Sequence, residues 1–150
     1  MAKIHFLNVE EGDCSIIQHN NGHVTMIDIC SGNLDKNEVK PQIYHLSESL
    51  KGIKGNFNQK SYPTNPIEYI KAHQIKRIFR YIQTHPDMDH MDGLYNLVNT
   101  VSIHNFWDTA NLKKQVFDAN GKSGKYLKTD WDCYCSLRNS ESNPKALIYY

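Results

Sequence analysis

Ten consecutive residues restrict the folding of this chain more than any others. Thr84-His85-Pro86-Asp87-Met88-Asp89-His90-Met91-Asp92-Gly93 hold two imidazoles and three carboxylates within eight positions. Ahead of them, Ile75 to Gln83 carries Ile78, Phe79, Tyr81 and Ile82 and reads as a strand. Behind them, Met91 to Asn99 places Met91, Leu94, Tyr95, Leu97 and Val98 at helical spacing. A polar loop leaving the C-terminal end of a strand and entering a helix is where open α/β sheets put their sites. The fold must therefore contain a sheet that ends at this loop.

The rest of the chain supplies that sheet. Ile4 to Val9, Cys14 to Gln18 and Val24 to Ile29 are apolar runs. Glu10-Glu11-Gly12-Asp13 separates the first two, and Asn20-Asn21-Gly22 the last two. Asn-Gly is a strong hairpin signal for a turn with two positive-φ residues, so three antiparallel strands are expected. Asn65-Pro66-Ile67-Glu68 starts a helix running to about Gln74, with Asn65 as cap and Glu68 able to reach back to it. Val101 to Trp107 reads as a strand. Leu112, Val116 and Phe117 predict one helix, and Trp131, Tyr134 and Leu137 another. Ala146 to Tyr150 predicts a final strand. Asn33 to Thr64 is rich in Lys, Asn, Ser and Gly and predicts a long mobile loop.

With 150 residues, the chain suits one domain with a real core. Seventeen basic and sixteen acidic residues leave a net charge of +1, which offers no overall field toward nucleic acid or an anionic membrane. No apolar run nears the ~20 residues that span a bilayer, and the first residues lack a secretory pattern. A cytoplasmic location is expected. There, Cys14, Cys30, Cys133 and Cys135 are expected as reduced thiols, the first two as core residues.

In the loop, His and Asp are the residue types that ligate zinc and other first-row divalent ions. His85 and Asp87 alternate and can point the same way along an extended segment. Asp89 and His90 are adjacent and can turn toward a second position. Four ligands divided in this way suit two metals held close together, which can share a hydroxide and neutralise both oxygens of a displacement. A cap or turn would need one such residue, not five.

This loop resembles the H-x-H-x-D-H signature of the metallo-β-lactamase superfamily, with Asp87 in place of the second His. Together with Asn8-Val9-Glu10-Glu11-Gly12-Asp13, it resembles the soluble hydrolase domain of bacterial competence (DNA-uptake) proteins and their stand-alone relatives. In that family the opening motif usually reads N-V-G-Q-G-D, so Glu10 and Glu11 depart from it. Met26-Ile27-Asp28-Ile29-Cys30-Ser31-Gly32 is similar to the family's strand ending in Asp before a Gly turn. The likeness covers about Lys3 to Trp107.

The resemblance implies an α/β fold of α+β type: the first half of an αββα sandwich, a mixed, mostly antiparallel sheet with flanking helices. It implies that His85 and Asp87 hold a first metal, that Asp89 and His90 hold a second, and that Asp89 orients the attacking water. Asp28 and Asp13 become supports behind the ligands. Two divalent ions are implied; zinc fits, and the oxygen-rich first position also admits manganese or magnesium. After His90 the one histidine is His104, too near the loop to match the family's later ligand. Measured against the family, the chain reads as a truncation, a fragment or one piece of a split protein, inactive until a second chain or a C-terminal half completes the site. The function expected is a binuclear metal-dependent phosphodiesterase or nuclease acting on nucleic acid or a nucleotide, its anion facing the helix that starts near Met91. The alternative is a non-catalytic half-domain that binds a partner chain through an exposed sheet edge.

Overall fold

A computed structural model of the chain describes residues 1–34 and 63–139. The expected loop from Asn33 to Thr64, apart from its two ends, and the expected strand from Ala146 to Tyr150 lie outside the described residues. Five strands form one mixed sheet in the order β1-β2-β3-β4-β5: β1 Lys3–Phe6, β2 Ser15–Gln18, β3 Val24–Ile27, β4 Arg77–Ile82 and β5 Ser102–Trp107. The first three are an antiparallel meander. β3–β4 and β4–β5 are parallel. The expectation of a mostly antiparallel sheet is therefore corrected to an even division, because helices intervene before β4 and before β5 and carry the chain back to the same end.

Among the described residues three helices accompany the sheet: α1 Pro66–Ala72, α2 Leu94–Thr100 and α3 Lys128–Arg138. Asn65 caps α1 as its sequence indicated, accepting from the backbone N–H of Ile67 at 2.8 Å and of Glu68 at 3.3 Å. Ile67 and Ile70 of α1, Leu94 and Leu97 of α2, and Trp131, Tyr134 and Leu137 of α3 join Ile16, Met26, Ile78, Tyr81 and Phe106 of the sheet in one buried cluster. Tyr81 and Phe106, paired across β4 and β5, stack with centroids 5.5 Å apart. A two-stranded ribbon, β6 Lys122–Ser123 and β7 Tyr126–Leu127, precedes α3. No helix among the described residues is long and apolar enough to cross a membrane.

Three local readings are corrected. The Asn20-Asn21-Gly22 turn has positive φ at Gly22 alone, and His19 and Gly22 close a three-residue connection. That loop needs one left-handed residue at its last position, which Gly22 provides. The helix expected from Met91 starts at Leu94. The backbone continuing β3 captures residues 90–92 first: Ile29 N–H bonds to His90 O, Gly32 N–H bonds to Asp92 O, and Ile29 bridges Met91 in parallel. Residues 112–117 form no helix, and Leu112 and Val116 are 94% and 83% exposed. That segment is held by side chains: Asn111 Oδ1 accepts from Lys113 N–H at 3.2 Å, and the Arg138 guanidinium donates to Lys113 O at 3.4 Å.

Candidate metal centre

The loop leaves β4 at its C-terminal end, as expected, and turns through a short 3₁₀ segment, Met88–His90. Two glycine contacts fix its path. Gly12 has φ +60°, and a methyl group there would lie 2.0 Å from the Asp89 carbonyl oxygen. Gly93 has φ +101°, and a methyl group there would lie 2.4 Å from Gly32 Cα. Only glycine combines those backbone angles with so close an approach. The turn after β1, the end of β3 and the loop after β4 therefore meet at one place, although they are far apart in sequence.

The centre is organised from beneath by Asp28. It sits just past β3 with φ +53°, a left-handed conformation that Asp tolerates better than most residues, and is 1% exposed. Its Oδ1 accepts from Thr84 N–H at 2.8 Å and from Gln83 Nε2 at 3.3 Å. Its Oδ2 accepts from the Thr84 hydroxyl and from His90 Nδ1, the latter at 2.9 Å. A carboxylate only accepts, so His90 carries its proton on Nδ1. Thr84 spends its hydroxyl hydrogen on Asp28, so it accepts from His85 Nδ1 at 2.9 Å. One buried carboxylate thereby holds both histidines with Nδ1 protonated and, in the neutral rings, with a lone pair on Nε2.

The four expected ligands approach one another in pairs. The rings of His85 and His90 are 3.7 Å apart between centroids. His85 Nε2 is 3.8 Å from Asp87 Oδ2, and His90 Nε2 is 3.6 Å from Asp89 Oδ2. Two ligand atoms around one tetrahedral zinc stand about 3.4 Å apart. Each of these two pairs is near the spacing of two ligand atoms on one ion, but neither Asp87 nor Asp89 joins a group of three converging donors among the described residues. Asp28, His85 and His90 also bring one donor atom each within 4.8 Å of one another. Asp28 is better placed as an orienting group than as a ligand, since both its oxygens are already engaged by protein donors.

Asp87 is ion-paired with Lys113, and hydrogen bonding from that ammonium holds its carboxyl below the usual carboxylate range. Asp13 is exposed, and among the described residues no hydrogen bond ties its carboxylate to the loop; its neighbour Gly12 makes the contact instead. Glu10 and Glu11 pair with Lys125 at 2.7 and 3.3 Å, and Glu11 also accepts from the Tyr126 hydroxyl at 2.8 Å. His104 is exposed on β5 and stacks on Phe79, centroids 5.5 Å apart, apart from the cluster.

The N-terminus of α2 does not face the site as expected. Asp130 of α3, 1% exposed, fills it by accepting from Gly93 N–H at 3.2 Å and Tyr95 N–H at 2.9 Å. Asn33 bridges Asp130 at 2.7 Å to Asp92 at 2.8 Å, and Asp92 Oδ2 accepts from Ser31 N–H. Burial raises the carboxyl pKa of both Asp92 and Asp130. Gln83, Lys113 and Asp130 shape the centre without standing out in the sequence, and Thr84 lies in the ten-residue run without a role assigned to it there. Neither protein-family models nor curated proteins yield a match to this chain.

Proposed function

We propose that this chain is the metal-binding part of a metallo-β-lactamase-type hydrolase, with His85, Asp87, Asp89 and His90 as ligands of two divalent ions and a phosphodiester of a nucleic acid or nucleotide as substrate. The observation that carries the reading is the Asp28–Thr84–His85 and Asp28–His90 relay. It fixes two imidazole tautomers toward one polar, partly exposed loop. Histidines of ordinary structural use do not need a shared buried carboxylate to aim their free nitrogens together. When bound, zinc, or manganese at the more oxygen-rich position, would supply an activated water and charge neutralisation. The protein's own share is to aim His85 and His90, to hold Asp87 and Asp89 beside them, and to hold the loop rigid through Gly12 and Gly93. Asp89, beside His90 Nε2, is the residue assigned to orient the water.

The test is a zinc and manganese titration by calorimetry, followed by assay of a chromogenic phosphodiester and of DNA. Binding that His85→Ala and His90→Ala each weaken supports the proposal, and any hydrolysis should be lost in the same variants. No metal binding by the wild-type chain refutes it. Binding without hydrolysis is the result expected of the metal-binding part alone, whereas capture of a partner chain without any metal would favour the second reading, a partner-binding module. For that, β5 is the relevant feature, a six-residue strand that has only β4 as neighbour among the described residues.

A further inference from the structure

We propose that Lys113 is the residue that selects an anionic substrate at this centre, leaving Asp87 for a phosphoryl oxygen when Asp87 takes a metal. The inference rests on the hydrolase reading above and names a specificity residue within it. Lys113 belongs to the segment that follows β5 and returns to the loop after β4. Its backbone is held at both ends. Asn111 accepts from its N–H, Arg138 donates to its carbonyl, and Asn111 is itself anchored on the Tyr134 hydroxyl at 2.7 Å. Tyr134 in turn donates to buried Asp108 at 2.7 Å. A rigid scaffold on α3 thus presents a flexible side chain, about a third exposed, whose ammonium reaches Asp87.

The charges decide what that ammonium does. Asp87 is the carboxylate it holds, and a divalent ion on Asp87 would cancel the attraction and repel the ammonium. The stem needs only a rotamer change to move the charge a few ångströms. A lysine ammonium is a compact point charge suited to a phosphoryl oxygen. Lys125 is committed elsewhere, since Glu10 and Glu11 hold it. A neutral ester or amide would gain little from such a charge, so Lys113 would favour substrates carrying negative charge beside the bond that is cleaved.

The experiment uses the 150-residue chain, with manganese and then inorganic phosphate as probes in isothermal titration. Wild type is compared with Lys113→Gln and Lys113→Arg. Lys113→Gln should bind manganese several-fold more tightly, because a competitor for Asp87 is gone. Once loaded, it should bind phosphate at least about tenfold more weakly, the loss expected for one charge-assisted bond. Lys113→Arg should recover phosphate binding. If manganese binds but phosphate affinity is the same in wild type and Lys113→Gln, the role of Lys113 is overturned while the hydrolase reading stands. If wild type binds neither manganese nor zinc, both are overturned; if it binds zinc alone, the same phosphate comparison is made on the zinc-loaded chain.

Discussion

Replacing Asp28 by Asn separates the orienting role of this residue from its structural one. Asn tolerates the left-handed backbone at position 28, and its carbonyl oxygen can still accept from Thr84 N–H and Gln83 Nε2. Its amide nitrogen must then face the Thr84 hydroxyl and His90 Nδ1, where Oδ2 now accepts. The reversed amide would set two donors against Thr84 N–H and Gln83 Nε2, so the first orientation wins. With a donor in place of Oδ2, His90 has to accept through Nδ1 and carry its proton on Nε2. Thr84 becomes an acceptor from Asn and passes its own hydrogen toward His85 Nδ1, which reverses that ring too. Most hydrogen bonds are re-made, so the stability loss should be about 1–2 kcal/mol by urea unfolding. Both lone pairs on Nε2 are lost, so zinc affinity should fall by about 10–100-fold, the range for a partner behind a ligating histidine. Calorimetric zinc titration reads the second effect. Nitrogen-15 NMR of the two rings reads the tautomers directly. Wild-type zinc affinity in a folded Asp28→Asn chain would refute the relay.

Gly12→Ala should cost about 2–4 kcal/mol in urea unfolding, because the new methyl meets the Asp89 carbonyl at 2.0 Å on a backbone with φ +60°; a loss below about 0.5 kcal/mol would show that the turn can move off the loop. Burial raises the carboxyl pKa of Asp92 and Asp130, so the folded chain binds protons more readily there than the unfolded chain. Their contribution is complete below the ordinary carboxylate pKa and is lost as pH rises through the raised values. Unfolding free energies measured from pH 7 down toward pH 4.5 should therefore fall less steeply with rising pH in Asp130→Asn than in wild type, and identical slopes would contradict the assignment. Desolvation pushes the Cys133 thiol up to about 12 and raises Cys14 and Cys30 as well. Iodoacetamide at pH 8 should label these three far more slowly in the folded chain than in urea, as followed by peptide mass spectrometry; equal rates would show that they are not desolvated.

The local pattern of the sequence was enough for the strands of the meander, the Asn65 cap, the strand that delivers the loop, and the candidacy of His85, Asp87, Asp89 and His90 within it. Those features depend on alternation, capping chemistry and spacing between near neighbours, and a single sequence displays all of them. The periodicity of Met91 to Asn99 did predict a helix, but its first turn was lost to backbone pairing with Ile29 and Gly32, partners some sixty residues away. Leu112, Val116 and Phe117 have helical spacing, yet their segment answers to Asn111, Tyr134 and Arg138 instead. Asp130 as the cap of α2, Lys113 as the counter-ion of Asp87, and the reach of Asp28 to both histidines are likewise invisible in local pattern. Each depends on which charged or polar groups the finished fold brings within hydrogen-bond distance. Burial then enforces the outcome, because a carboxylate removed from water must find its donors wherever the chain has put them.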